Sequence, residues 1–169
     1  MKGDCEYLIE QWLNSYAHID CYLEKLAYVL ATVQHETAGT YLPIRERRAS
    51  KDKQFKVYRL QSRYWLSGYY GRGYVQLTHK ANYEHFGDIL KIPLVTQPDL
   101  AMVRDTACRI LFEGMLKGSF TGKKLSDFIS EQEMDYYHAR MIVNGMDKAR
   151  LIAGLADVWW SILKDKYKQ

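Results

Sequence analysis

The run DCYLEKLAYVLATVQHETAG, residues 20 to 39, constrains the fold more than any other stretch of the chain. Leu23, Leu26, Ala27, Leu30 and Ala31 recur at the spacing that lines one face of an α-helix. Asp20 stands where an N-cap is wanted, and Gly39 where a left-handed residue ends a helix. So apolar a helix face has to be covered by other elements, and the rest of the chain offers mostly helices to cover it. A helical pattern resumes near Thr78 through THKANYEHFGDIL, and again after the Pro98-Asp99 start signal through LAMVRDTACRILFEGML. The turn GSFTG at 118 to 122 precedes a short LSDFI segment. The last helix is expected after Asn144-Gly145, capped by Asp147, with Leu151, Leu155, Val158, Trp159 and Ile162 on its buried face. Residues 40 to 76 are polar, basic and rich in Tyr, Arg and Gly; a weak alternation in FKVYRLQSRYW predicts loop with a short β-hairpin.

With 169 residues, nearly half of them hydrophobic and only three proline, the chain fits one domain over residues 1–169, with room for two lobes. That composition excludes a linker or a disordered tail. A net charge of +4 and a pI near 8.8 favour anionic surfaces without choosing among nucleic acid, headgroups and acidic wall polymers. No nucleic-acid motif accompanies the basic residues, so no nucleic-acid partner is expected. Cys5, Cys21 and Cys108 fit neither a zinc pair nor a disulfide ladder and read as free thiols. The start, MKGDCEYLIEQ, has no apolar core of signal-peptide length, which predicts a protein made in the cytosol. No apolar stretch approaches the roughly 20 residues that span a bilayer, so no stable membrane insertion is expected. Trp159 and Trp160 on a cationic last helix offer a membrane contact, but Trp159 on an apolar stripe is more simply core.

His35-Glu36 invites comparison with the zinc-protease helix, which requires a histidine at position 39; Gly39 stands there instead. The five histidines form no other ligand spacing. GSFTGKKLS lacks the glycine and hydroxyl positions of a phosphate loop, because Lys117 and Lys124 occupy them. Neither a metal nor a cofactor is expected. Two carboxylates remain. Glycoside hydrolysis needs one acid for the leaving oxygen and one carboxylate for water or sugar. Glu36, at a helix end among apolar residues, suits the acid, and Glu46, in an arginine-rich loop, suits the base. In GYYGRGYVQLTHKANYEHFG, Gly71 and Gly73 permit tight turns, and Gln76, Thr78 and Asn82 set small polar groups where the chain enters a helix. Those groups hold a water or a sugar hydroxyl, or else Thr78 caps the helix and the others are solvated.

QHETAG followed by YYGRGYVQLTHKANY resembles the family 19 glycoside hydrolases, which include plant-type chitinases and many bacteriophage endolysins. The similarity continues through PDLAMVRDTACRILFEGMLKGSFTGKKLSDFI and ARMIVNGMDKARLIAGLADVWWSIL, which look like the phage endolysin branch. The resemblance implies a mainly α, lysozyme-like fold of two lobes with a central cleft. It implies Glu36 as general acid, Glu46 as the second carboxylate, and Gln76 and Thr78 as the pair holding the attacking water. Asn82 and Asn144 match substrate contacts, and Arg72 a cleft-lining or structural position. Inversion is implied too, with carboxyl groups about 6.5 to 9.5 Å apart. Independently of the resemblance, Tyr69, Tyr70 and Tyr74 beside the glycine motif offer a place for sugar stacking, or else serve as core or general surface, as aromatic residues do.

The paired cysteines and insertions of plant chitinases are missing, which favours peptidoglycan over chitin. The expected function is that of an inverting, muramidase-type endolysin cutting β-1,4 bonds of peptidoglycan strands for host lysis. It would be a monomer held in the host cytoplasm until a holin opens the way to the periplasm or wall. A chitinase on the same scaffold and a non-catalytic glycan-binding protein are the alternatives.

Overall fold

In the computed structural model, which describes residues 2–168, the apolar run forms helix α2, Tyr22–Glu36. Every residue from Leu23 to Val33 is buried, so α2 is enclosed on all sides. The charged members of that run are hydrogen-bonded: the Lys25 ammonium donates to the Asp20 backbone carbonyl at 2.7 Å, and Glu24 pairs with Lys168 at 2.8 Å. The chain divides into two compact units, Met1–Tyr41 with Leu111–Gln169, and Leu42–Ile110.

The first unit contains α1 (Lys2–Tyr16), α2 and the last helix, here α6 (Ala149–Tyr167). It also holds the end of α5, which spans Arg104–Lys117. Trp12 of α1 is fully buried; its indole donates to the Tyr22 carbonyl and meets the Phe112 ring edge-on at 5.0 Å. α6 packs along α2 through Ile152, Ala156 and Leu163. This corrects the expected face: Leu151, Val158 and Ile162 are about half exposed, and Trp159 is half-buried, donating to Gln34 Oε1 at 2.9 Å. The apolar arc of α6 is wider than one face, and the row containing small alanines is the one that allows close approach to α2. Gly114 of α5 is equally tight, because a Cβ there would lie 2.2 Å from Phe120 Cζ. Gly114→Ala gains about 1 kcal/mol of helix propensity, yet it is expected to lower stability by about 2 kcal/mol net through overpacking. The urea midpoint measures this, and an unchanged midpoint would mean that the 118–122 turn yields.

The second unit holds the polar segment. Strand β1 (Ile44–Arg45) pairs antiparallel with β2 (Arg72–Gly73), Ile44 opposite Gly73 and Arg45 opposite Arg72. A small sheet is therefore present, but FKVYRLQ is not part of it; those residues form helix α3, Phe55–Gln61. Its alternation was uninformative because Phe55, Val57 and Leu60 are all exposed and Gln61 is the buried residue. Helix α4 spans Lys80–Leu90, and Pro98–Met102 form a 3-10 turn, so the expected helix after Pro98 begins as α only at Arg104.

None of the expected side-chain caps is used. Cys21, His79 and Lys148 precede α2, α4 and α6 with φ of 52°, 72° and 60°. The Asp20 and Asp147 carbonyls accept from Lys25 and Arg140 instead, and the Thr78 hydroxyl donates to the Gln76 carbonyl.

Candidate functional site

Glu36 is the last residue of α2, and the Thr37-Ala38-Gly39 segment that follows closes the helix. The Thr37 hydroxyl donates to the Val33 carbonyl at 2.7 Å and accepts from the Tyr41 amide at 3.0 Å. The left-handed stop expected at Gly39 begins one residue earlier: Ala38, at φ 50°, returns its amide to the His35 carbonyl at 3.2 Å, and Gly39, at φ 77°, returns its own to the Gln34 carbonyl at 2.8 Å. The Glu36 side chain is 21% exposed, and its Oε1 accepts from Arg140 Nη1 at 2.8 Å. That replaces the apolar setting expected for this carboxylate with a charged partner. Arg140, on the 3-10 turn His138–Ile142, is 3% exposed, and its Nε donates to the Asp147 carbonyl at 3.0 Å. Asn144 is tied to the same residue, its amide donating to the Arg140 carbonyl at 3.1 Å, while its side chain is exposed and accepts from the Gly145 amide.

Glu46 follows β1 in the second unit. Its Oε1 accepts from the Tyr64 hydroxyl at 2.6 Å and from Gln61 Nε2 at 2.9 Å, and its Oε2 from the Gly71 amide at 2.8 Å. Gln61 is 3% exposed because it is fully employed: Nε2 also donates to the Arg47 carbonyl, and Oε1 accepts from the Ala49 amide at 2.6 Å. Burial and the adjacent Glu46 carboxylate push the Tyr64 hydroxyl well above the usual tyrosine range. The loop arginines take other partners, Arg45 pairing with Asp99 and Arg48 bonding Ser62, so the donors on Glu46 are neutral. A carboxylate oxygen has room for two donors, and Oε2 has one.

Gln76 converges on this carboxylate. A Cβ built on Gly71 would lie 2.6 Å from Gln76 Oε1 and 3.2 Å from Glu46 Oε2, so both side chains approach the bare Gly71 backbone. Gln76 Nε2 donates to the Ile44 carbonyl at 3.0 Å, the Thr78 hydroxyl to the Gln76 carbonyl at 2.7 Å, and Asn82 Nδ2 to the Thr78 carbonyl at 2.7 Å. Gln76, Thr78 and Asn82 are thus linked through backbone carbonyls within the second unit, Asn82 at the exposed end, and Gln76 meets Glu46 across the bare Gly71 backbone. Gly71→Ala must displace the Gln76 tip and crowd Glu46. It is expected to reduce any turnover that depends on Glu46 by about tenfold or more, since misplacing a reacting group by about 1 Å costs up to about 10². Steady-state rates beside an unchanged circular dichroism spectrum would check this.

Two expected site residues turn inward: Arg72 takes the structural of its two expected roles instead of lining a cleft, and the sugar-stacking place of Tyr74 is corrected. The Arg72 side chain is 3% exposed; Nε pairs with Asp99 at 2.8 Å and Nη1 donates to Gly68 O, Tyr70 O and Tyr83 Oη. It braces the second unit from inside. Tyr74 is fully buried and serves as core. Near the glycine motif Trp65 and Tyr70, both half-buried, stack on each other with centroids 4.5 Å apart, and the Arg48 and Arg72 guanidinium groups lie 5.2 Å and 4.0 Å from those rings. Arg140, Gln61 and Tyr64 were not singled out from the sequence. None of the three is marked by residue type or spacing; it is the structure that buries Arg140 beside Ala139 and Ile142. Among the described residues no three His, Cys, Asp or Glu side chains gather as metal ligands would.

No known family model matches the chain. A 32-residue stretch, 19% of the chain, is 62% identical to Chitinase 11 of Oryza sativa subsp. japonica, and the match covers 12% of that protein's length. Among solved structures, a glutamate-to-glutamine mutant of chitinase C superposes with a TM-score of 0.55 at 18% identity, covering 94% of this chain and 82% of that one. The chain therefore has the mainly helical, lysozyme-like fold expected of it, shared with a chitinase.

Proposed function

We propose that the protein is a glycoside hydrolase of the endolysin kind, cutting β-1,4 bonds of peptidoglycan with inversion. The observation that carries this reading is the Glu46 cluster: a carboxylate fixed at both oxygens by Gln61, Tyr64 and Gly71, with Gln76 beside it. Such a carboxylate is preorganised to take a proton from water, which then attacks the anomeric carbon. Glu36 gives its proton to the leaving oxygen. Oε1 faces Arg140, so Oε2 is the oxygen to bear that proton, and the guanidinium stabilises the carboxylate that remains. Gln76 and Thr78 orient the water. As an endolysin the chain acts alone as a monomer, reaching the wall from the host cytoplasm once a holin has opened the membrane.

Chitin is the second reading, favoured by the names of both relatives. Purified sacculi and chitin oligomers are to be digested with wild type and Glu46→Gln, and new reducing ends identified by mass spectrometry. Muramic-acid ends from wild type support the endolysin; chitin products alone support a chitinase. Retained glycan binding without any product would sink the catalytic reading. Full activity of Glu46→Gln would remove Glu46 as the base.

A further inference from the structure

The positive charge of the chain is not spread evenly. Residues 45 to 66 hold eight of the Lys and Arg against two acids, a net +6, whereas the whole chain is +4, so the remainder sums to −2. Arg47, Lys51, Lys53, Lys56, Arg59 and Arg63 are all exposed, and none of the six has an ion pair among the described residues. Interleaved with them are Phe55 at 57% exposure, Val57 at 47%, Leu60 at 55% and Leu66 at 92%. Arg48 frames the surface from behind: its guanidinium lies 4.9 Å from the Tyr58 ring centre and 5.2 Å from that of Trp65, and Nη2 donates to Ser62 Oγ at 3.2 Å. Helix α3 and the turn after it are thereby held as one face.

Cations alone would serve a soluble polyanion, which has no use for four exposed apolar side chains. A second copy of this chain would set +6 against +6. An anionic lipid surface satisfies both features, with lysines and arginines at the phosphates and phenylalanine and leucines in the headgroup boundary. Among the described residues no helix is long and apolar enough to cross a membrane, so the contact is a surface one. We propose that residues 45–66 dock the protein onto a membrane rich in anionic phospholipid. This goes beyond the hydrolase reading and stands without it.

The test is sedimentation of the full chain with vesicles of phosphatidylcholine alone, or with about one third phosphatidylglycerol. Binding is expected only to the anionic vesicles, weakening as salt rises. Each cation near such a surface strengthens partition about fivefold, so the Lys56→Gln, Arg59→Gln double variant should bind about 25-fold more weakly at low salt. Phe55→Ser with Leu66→Ser, also at exposed positions, should weaken binding about tenfold. Circular dichroism matching wild type verifies that both variants are folded. Absence of vesicle binding at low salt would overturn the proposal. So would unchanged vesicle binding by the Phe55, Leu66 variant together with retention on dextran sulfate, which would reassign the face to a polyanion.

Discussion

Glu36→Gln is expected to slow glycan cleavage by about 10²–10⁴-fold, the contribution of a positioned general acid. The substitution keeps the shape of the side chain and a carbonyl oxygen that can still accept from Arg140, at 2.8 Å in the wild type. What it removes is the transferable proton. The loss should therefore fall on kcat with KM little changed, because substrate is still bound but its leaving oxygen is not protonated. Arg140 is 3% exposed, and replacing its anionic partner by a neutral amide leaves a poorly compensated buried charge. A stability loss of about 1–3 kcal/mol should accompany the kinetic defect. Rates are to be compared at temperatures where both proteins are fully folded. Equal turnover would remove Glu36 from the mechanism, and a rise in KM alone would recast it as a binding residue.

Arg72→Met should destabilise the second unit by about 3 kcal/mol, a typical cost for deleting charged hydrogen bonds inside a core. Methionine fills much of the stem volume, but nothing replaces the Nη1 donor to the Gly68 carbonyl at 2.9 Å and to Tyr83 Oη at 3.0 Å. The Tyr70 carbonyl loses less, since the Tyr83 hydroxyl also donates to it. The guanidinium's place over the Tyr70 ring, 4.0 Å from its centre, is lost as well. Acid should reveal the electrostatic part. Arg45 first, and Arg72 with it, hold the Asp99 carboxyl below the usual carboxylate range. A lowered folded value means the contribution is full above the unfolded value of about 3.9 and is lost as pH falls through the folded one. The wild type's urea midpoint should consequently fall more on acidification below about pH 4 than that of the variant. A variant with wild-type stability at neutral pH would show that Arg72 is not the brace described.

What the sequence disclosed and what it withheld follow a physical division. The path of α2 and the neighbourhood of its stop were legible because burial and a left-handed glycine both leave marks in residue type, although Ala38, already left-handed before Gly39, left none. The helix starts were not, because Cys21, His79 and Lys148 adopt positive φ with no side chain that announces it. On α6 the periodicity admitted two adjacent rows, and only packing against α2 chose Ile152, Ala156 and Leu163. In the candidate site, Glu36, Glu46, Gln76 and Thr78 were named from motifs, whereas Arg140, Gln61 and Tyr64 earn their places from partners 104, 15 and 18 residues away. Tyr74 and Arg72 show the converse, being motif residues whose burial turns them inward.

The helix end in QHETAG distributes its duties unequally among neighbouring letters. Thr37 and Gly39 tie off α2, and Glu36 between His35 and Thr37 is the one whose carboxylate faces a buried guanidinium. Selection for foldability would therefore preserve Thr37 and Gly39 in a descendant that had abandoned chemistry, and such a descendant would still read as kin. Relatives of this chain are best sorted into active and silent lineages by the glutamate together with its distant arginine, a pair that, once turnover is no longer selected, is held by stability alone and is lost most readily when both members change together.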